Sequence, residues 1–130
     1  MIIPIILICY TILYEYVYSP TIVPHVLAQQ QKRPPIVVSI VLGASSPNNA
    51  KFYDPAELHI SKNDIVLWKN NDFTIHTVTS GKLGSGPSNE FNSTLIRPGG
   101  NFNHTFNDAK SYDYYCTLFP FMTGKIVVNP

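Results

Sequence analysis

Two sulfur-bearing side chains, Cys116 and Met122, stand six positions apart around the short apolar stretch T-L-F-P-F in a chain of 130 residues. A thiolate and a thioether are soft donors that suit copper, above all Cu(I), and a loop stiffened by Pro120 holds their spacing. Gly124 then lets the chain turn into a closing strand at residues 125–129. Before the loop, Tyr112, Tyr114 and Cys116 fall on alternate positions. A strand there puts the thiol on an aromatic, buried face and Asp113, Tyr115 and Thr117 on the other. His76, 40 residues upstream, follows a turn at 70–72 and opens a β-branched run (I-H-T-V-T-S), so it stands at a strand mouth where an imidazole can join the sulfur donors. Thr77 and Thr117, the neighbours of His76 and Cys116, are placed to support the two donor segments through hydrogen bonds.

The elements that must position these groups read as strands. Tyr, Phe, Val, Ile and Thr are plentiful, Pro and Gly recur at short intervals, and no long helical periodicity appears, so the composition is all-β. Strands are expected at residues 36–42 (buried on both faces), 57–60, 65–70, 75–80, 101–107, the cysteine segment and 125–129. Residues 81–89 read as a mobile surface loop. Trp68 reads as core, and Phe102, His104 and Phe106 share one face. Seven to eight short strands at this spacing predict a Greek-key β-sandwich of one domain.

The charge is near balance, +1, and the nine basic residues are scattered, which argues against a nucleic-acid partner. Residues 2–14 are apolar apart from Tyr10 and Thr11, suited to a signal h-region, and Val26-Leu27-Ala28 resembles a cleavage site. Residues 1–28 therefore read as a signal peptide, with an uncleaved membrane anchor as the alternative, residues 29–35 as a linker, and 36–130 as the domain. Cleavage removes Cys9 and leaves Cys116 as the one cysteine of an exported, monomeric protein, which excludes an internal disulfide. The triplets at Asn92 and Asn103 match glycosylation sequons.

Three collinear motifs carry a resemblance: W-x-N-x-D-x3-H-T-V-T-S-G (68–81), P-G-x-x-F-x-x-T-F (98–106) and Y-x-Y-x-C-T-x-x-P-F-M-x-G (112–124). Together they make residues 36–130 resemble the cupredoxins, and within them the amicyanin and plastocyanin-like members with a short ligand loop. The resemblance implies one blue (type 1) copper ion, a Greek-key sandwich and single-electron transport between redox partners. It maps His76, Cys116 and Met122 onto the ligand set. It maps the second histidine onto Phe119, which has no lone pair, so the trigonal set of two histidines and a cysteine is incomplete. Two outcomes stay open: copper on three ligands, or a site closed by the Phe119 ring. His104, His59 and His25 do not read as replacements. Leu118, Phe119, Pro120 and Phe121 are expected to form an apolar docking patch. Three functions follow for comparison: an electron carrier, a Cu(I) storage or delivery protein, and a metal-free interaction module. An enzyme is disfavoured, since no nucleophile with a matched base, no carboxylate pair and no multicopper H-x-H or H-C-H motif is present.

Overall fold

The computed structural model describes residues 32–130, and Arg33–Pro130 forms one compact unit. The predicted signal segment, with Cys9 and His25, lies outside the described residues. Among the described residues no helix is long and apolar enough to cross a membrane.

Among the described residues nine strands follow one another: β1 (Ile36–Ile40), β2 (Tyr53–Asp54), β3 (Glu57–Ser61), β4 (Ile65–Asn70), β5 (Thr79–Lys82), β6 (Gly86–Asn92), β7 (Asn101–Thr105), β8 (Ser111–Tyr115) and β9 (Thr123–Asn129). They form a four-stranded sheet in the order β2-β1-β4-β7 and a five-stranded sheet in the order β3-β9-β8-β5-β6. Two neighbouring pairs are parallel: β1 on β4, with Val38 opposite Trp68, and β3 on β9, with Ile60 opposite Val128. Parallel neighbours cannot be joined by a hairpin, so the chain must cross between the layers. That crossing makes the predicted sandwich.

Alternation along the strands builds the core. In β4, Val66, Trp68 and Asn70 are buried while Ile65, Leu67 and Lys69 are more exposed, and in β8 Tyr112 and Tyr114 point inward ahead of Cys116. Trp68 lies at the centre, edge-on to Tyr114 (ring centroids 5.5 Å apart) and stacked on Phe102 (5.6 Å). Tyr53 meets Tyr114 edge-on at 4.9 Å. Each large side chain removed from water in this way contributes roughly 1.5–3 kcal/mol.

Three expectations change. The strand count among the described residues rises from the seven segments expected to nine through two additions, β2, which pairs with the end of β1, and β6: residues 81–89 are not a mobile loop, and β5 and β6 form a hairpin there, closed by a turn in which Ser85 N donates to Lys82 O. Gly81, Gly84 and Gly86 all have positive φ, and at Gly81 a Cβ would collide with the Gly86 carbonyl oxygen. Glycines that looked like loop composition are what a tight, bulged hairpin requires. Second, the strand expected from residue 75 starts only at Thr79; His76 holds a single bridge to Ile96 instead. Third, β1 ends at Ile40 and is not buried on both faces, since Val37 is 51% exposed.

Candidate metal centre

The segment between β4 and β5 reaches the cysteine loop because its backbone is tied down on both sides. His76 N donates to Ile96 O (3.1 Å) and Ile96 N to His76 O (2.8 Å). Asn70, fully buried at the end of β4, donates through Nδ2 to Thr74 O (2.8 Å) and Ile96 O (3.0 Å), and its Oδ1 accepts Asp72 N (3.0 Å). The chain past β8 closes on itself: Cys116 N donates to Met122 O (3.1 Å) and Met122 N to Phe119 O (2.9 Å). His76, Cys116 and Met122 all end fully buried.

Two threonines join these segments as the sequence implied. Thr77 N donates to Cys116 Sγ (3.3 Å), Thr117 N donates to Thr77 Oγ1 (2.8 Å), and the two hydroxyls pair at 3.0 Å. His76 Nδ1 stands 3.8 Å from Cys116 Sγ. Bonds of roughly 2.0–2.3 Å from one metal ion to nitrogen and sulfur, opened between tetrahedral and trigonal angles, separate the two donors by about 3.5–3.8 Å. The observed spacing therefore accommodates a shared metal ion.

Asp72 completes the arrangement; sequence reading placed it in a turn and in the first of the three motifs, but gave it no part in the site. Its Oδ2 lies 2.8 Å from His76 Nε2, with both side chains almost wholly removed from solvent. The signal was present in the i, i+4 spacing of Asp72 and His76, but only the folded loop turns both inward. Burial alone pushes the Asp72 carboxyl up; hydrogen bonds from His76 and from the backbone of Gly43, Phe73 and Ser45 outweigh it and hold the group below its ordinary value. Burial pulls the His76 imidazole down, but Cys116 and Asp72 on either side raise it above the ordinary value. The Cys116 thiol is likewise pushed up by burial and brought below its usual value by His76 and the backbone amides of Thr77, Phe119 and Leu118. Those shifts favour a thiolate, the form that ligates metals.

Phe119 lies against the histidine, ring centroids 5.3 Å apart, and continues to Phe121 (6.1 Å), which packs on Phe52 (5.3 Å). The expected apolar patch is thus divided: Leu118 and Pro120 are exposed, while Phe119 and Phe121 turn partly inward against the core. The other described histidines, His59 and His104, stay apart. His59 pairs with Glu57 on the surface, and His104 packs against Phe91 and Phe106. Among the described residues no group of three or more His, Cys, Asp and Glu side chains is placed to share a metal ion. The side chains that meet here are one imidazole and one thiol, with Met122 buried in the same loop and tied to Cys116 through its backbone carbonyl; nitrogen and sulfur side chains of these types suit copper.

Comparison with known proteins agrees with this geometry. The sequence profile of copper binding proteins of the plastocyanin/azurin family matches residues 40–129. Amicyanin from Paracoccus denitrificans is 36% identical over 79 residues, 59% of this chain and 58% of that protein. Amicyanin-alpha from Methylorubrum extorquens is 36% identical over 79 residues, 61% of this chain and 65% of its own. The chain thus spans less than two thirds of the curated relatives it matches. Among solved structures, a novel purple cupredoxin from Nitrosopumilus maritimus superposes with a TM-score of 0.69 at 30% identity, covering 72% of this chain and 99% of that one. An amicyanin variant in its Cu(I) form superposes with a TM-score of 0.58 at 32% identity, covering 75% and 84%. With two such sheets, a buried cysteine and histidine at one end, and a profile match over most of its length, this chain is an amicyanin-like cupredoxin and belongs to the plastocyanin/azurin family of copper binding proteins.

Proposed function

We propose that this chain carries single electrons on one copper ion held by His76, Cys116 and Met122, with Phe119 in the place of a second imidazole. The observation that carries the reading is the 3.8 Å separation of His76 Nδ1 and Cys116 Sγ, both fully buried and both fixed from behind. A bound copper ion supplies the one-electron Cu(II)/Cu(I) couple. The protein supplies a donor set that does not move. Asp72 holds the imidazole, the Thr77 amide donates to the sulfur and stabilises its negative charge, and the Thr77–Thr117 contact locks the two segments together. Phe119 covers the histidine, with Phe121 packed behind it, and restricts water. Rigid donors keep the rearrangement between oxidation states small, which is what a carrier needs and a catalyst does not. We assign the chain no catalytic activity.

The reading extends to location and partners. Residues 1–28 act as an export signal or anchor and 29–35 as a linker, so the domain works outside the cytoplasm as a monomer. Redox partners dock at the loop end through Leu118 and Pro120, with Phe119 and Phe121 behind them. Phe73, 85% exposed on the loop that carries Asp72 and His76, is a further exposed apolar side chain on a segment of the site.

One observation favours a second reading. With Phe119 packed on His76 and only soft donors beside it, the site suits Cu(I) better than Cu(II), as a storage or delivery protein requires. Visible absorption and EPR spectra of the full chain after Cu(II) addition, beside Phe119→His, separate the two. The carrier reading expects an intense thiolate-to-copper band in the natural chain, strengthened in the variant. A band in Phe119→His alone, with Cu(I) binding by the natural chain, selects storage. No copper binding in either oxidation state leaves a metal-free interaction module.

A further inference from the structure

A β-sandwich has open edges, and an edge strand offers unpaired N–H and C=O groups to a second chain. Among the described residues four strands end the two sheets, β2 and β7 in one, β3 and β6 in the other. Three of them carry a guard. β2 is two residues long, β3 bears the exposed Glu57, and β6 contains Pro87 and Glu90 and pairs with β5 through a register shift. The fourth, β7, reads N-F-N-H-T, with no Pro, Lys, Arg, Asp or Glu. It pairs with β4 in unbroken register, from Asn101 opposite Lys69 to Thr105 opposite Ile65.

Asn103 sits at the middle of that edge. At the two ends of the pairing Asn70 N donates to Gly100 O and Phe106 N to Asp64 O, so the even-numbered residues turn their backbone groups to β4. Asn101, Asn103 and Thr105 then turn theirs to the free side. Side chains alternate as well: Phe102 stacks on Trp68 and His104 packs on Phe91, while Asn103 and Thr105 are exposed on the outer face. On that face Asn103 lies opposite Leu67 and Leu67 opposite Val37, an apolar row in which Leu67 is half-buried and Val37 51% exposed. An unguarded edge and an apolar row thus meet at one asparagine, and Asn103-His104-Thr105 is an N-x-T acceptor triplet.

We propose that Asn103 carries an N-linked oligosaccharide, which guards the β7 edge and covers Leu67 and Val37. The donor is an oligosaccharide joined through phosphate to a membrane lipid. A bond forms between Asn103 Nδ2 and the anomeric carbon, and the bond from that carbon to the phosphate oxygen breaks. The lipid phosphate leaves with the electron pair, and the amide proton passes to a base of the transferring enzyme. A strand docking along β7 would set a side chain about 5 Å from the Asn103 Cβ, where the first sugar stands. The second triplet, at Asn92, closes an edge with guards of its own, and Asn92 Oδ1 is held in its turn by Thr94 N at 2.9 Å. The modification rests on the export reading above, since such triplets are used on exported chains.

The test uses the chain isolated from its own cells, natural and in three variants. Asn103 and Thr105 are both exposed, so the substitutions leave the core and the candidate donors untouched. Glycopeptide mass spectrometry is expected to find an oligosaccharide on Asn103 in the natural chain and in Thr105→Ser, and none at position 103 in Thr105→Ala or Asn103→Lys. An exported chain with bare Asn103, or with sugar on Asn92 alone, overturns the proposal. A chain recovered only from the cytoplasmic fraction overturns the export reading and the proposal with it.

Light scattering then reads the guard. The natural chain and Thr105→Ser are expected to stay monomeric. The mass of Thr105→Ala should rise with concentration toward about twice that of one chain, because an edge pairs with its own copy about a twofold axis. Asn103→Lys lacks the sugar but charges the edge, and is expected to stay monomeric. A glycan-free Thr105→Ala that is monomeric at every concentration, or association of the natural chain or of Asn103→Lys as strong as that of Thr105→Ala, overturns the guarding role.

Discussion

Single side chains in this protein are coupled through hydrogen bonds whose removal leaves partners stranded. Thr77, 4% exposed, accepts Thr117 N through its hydroxyl. Thr77→Val preserves the shape but leaves that amide without its acceptor, and an unsatisfied polar group of this kind costs about 1–3 kcal/mol. Urea unfolding of the metal-free protein is expected to show a loss in that range, with Thr117→Ala less affected because the Thr77 hydroxyl keeps its backbone donor. His104 behaves differently. Burial among Phe91 and Phe106 holds its imidazole below the ordinary value of 6.5, with Glu90 opposing only in part. The folded state thus binds the proton less readily than the unfolded chain. The resulting stability is fully present above the ordinary imidazole range and is lost as pH falls toward the depressed folded value. The urea midpoint of the natural chain should drop across that window relative to His104→Phe, and the difference should be flat at higher pH.

At the level of elements, the strand pair β8–β9 sets the position of the metal-loop ends. Gly124 pairs opposite Tyr114, and a Cβ at Gly124 would run into the Tyr114 ring and hydroxyl. Tyr114 cannot retreat, because it is enclosed by Tyr53 and Trp68. Gly124→Ala is therefore expected to lower stability by about 1–3 kcal/mol as an overpacked core. Since Met122 lies two residues before this contact and its carbonyl binds Cys116 N, copper affinity should fall as well; calorimetry and metal competition on the same variant read the two effects. Much of this was legible in the sequence. The alternation in 65–70 and 112–116 gave β4 and the buried thiol face correctly, because a sheet with one face on the core repeats every two residues. The β5–β6 hairpin was not legible: its glycines have the composition of a loop, and only pairing with β8 and the close approach at Gly81 make them strand and bulge residues.

The whole molecule has its candidate donors at one end of a closed core, so metal binding and global stability are linked. A ligand that binds only the folded state raises stability by about 2.7 kcal/mol at 100 times its Kd. If copper occupies His76, Cys116 and Met122, thermal unfolding should shift upward with added Cu(I) and return on chelation, and the shift should vanish in Cys116→Ala. The segment just ahead of β1 adds a smaller tie: Arg33 pairs with Asp64 at 2.8 Å, and Asp64 accepts Ser61 N in the turn before β4. That pair is largely exposed on the arginine side, so it guides the chain into β1 more than it stabilises the fold.

By itself the sequence determined the all-β class and the family resemblance, and it singled out His76, Cys116 and Met122 as candidate donors beside Phe119. These are local or collinear properties: residue types, alternation and spacing along one chain. Tertiary structure alone decided that Asp72 stands behind His76, that Phe119 and Phe121 turn inward while Leu118 stays exposed, and that His76 sits on a single bridge to Ile96 and not within a strand. Each depends on segments far apart in sequence meeting at fixed distances. Asp72 is held by amides from Gly43 and Ser45, 29 and 27 positions away, and His76 meets Cys116 across 40. No periodicity within a segment records such meetings, because side-chain alternation fixes which face a residue takes and leaves open what the opposite loop brings to it.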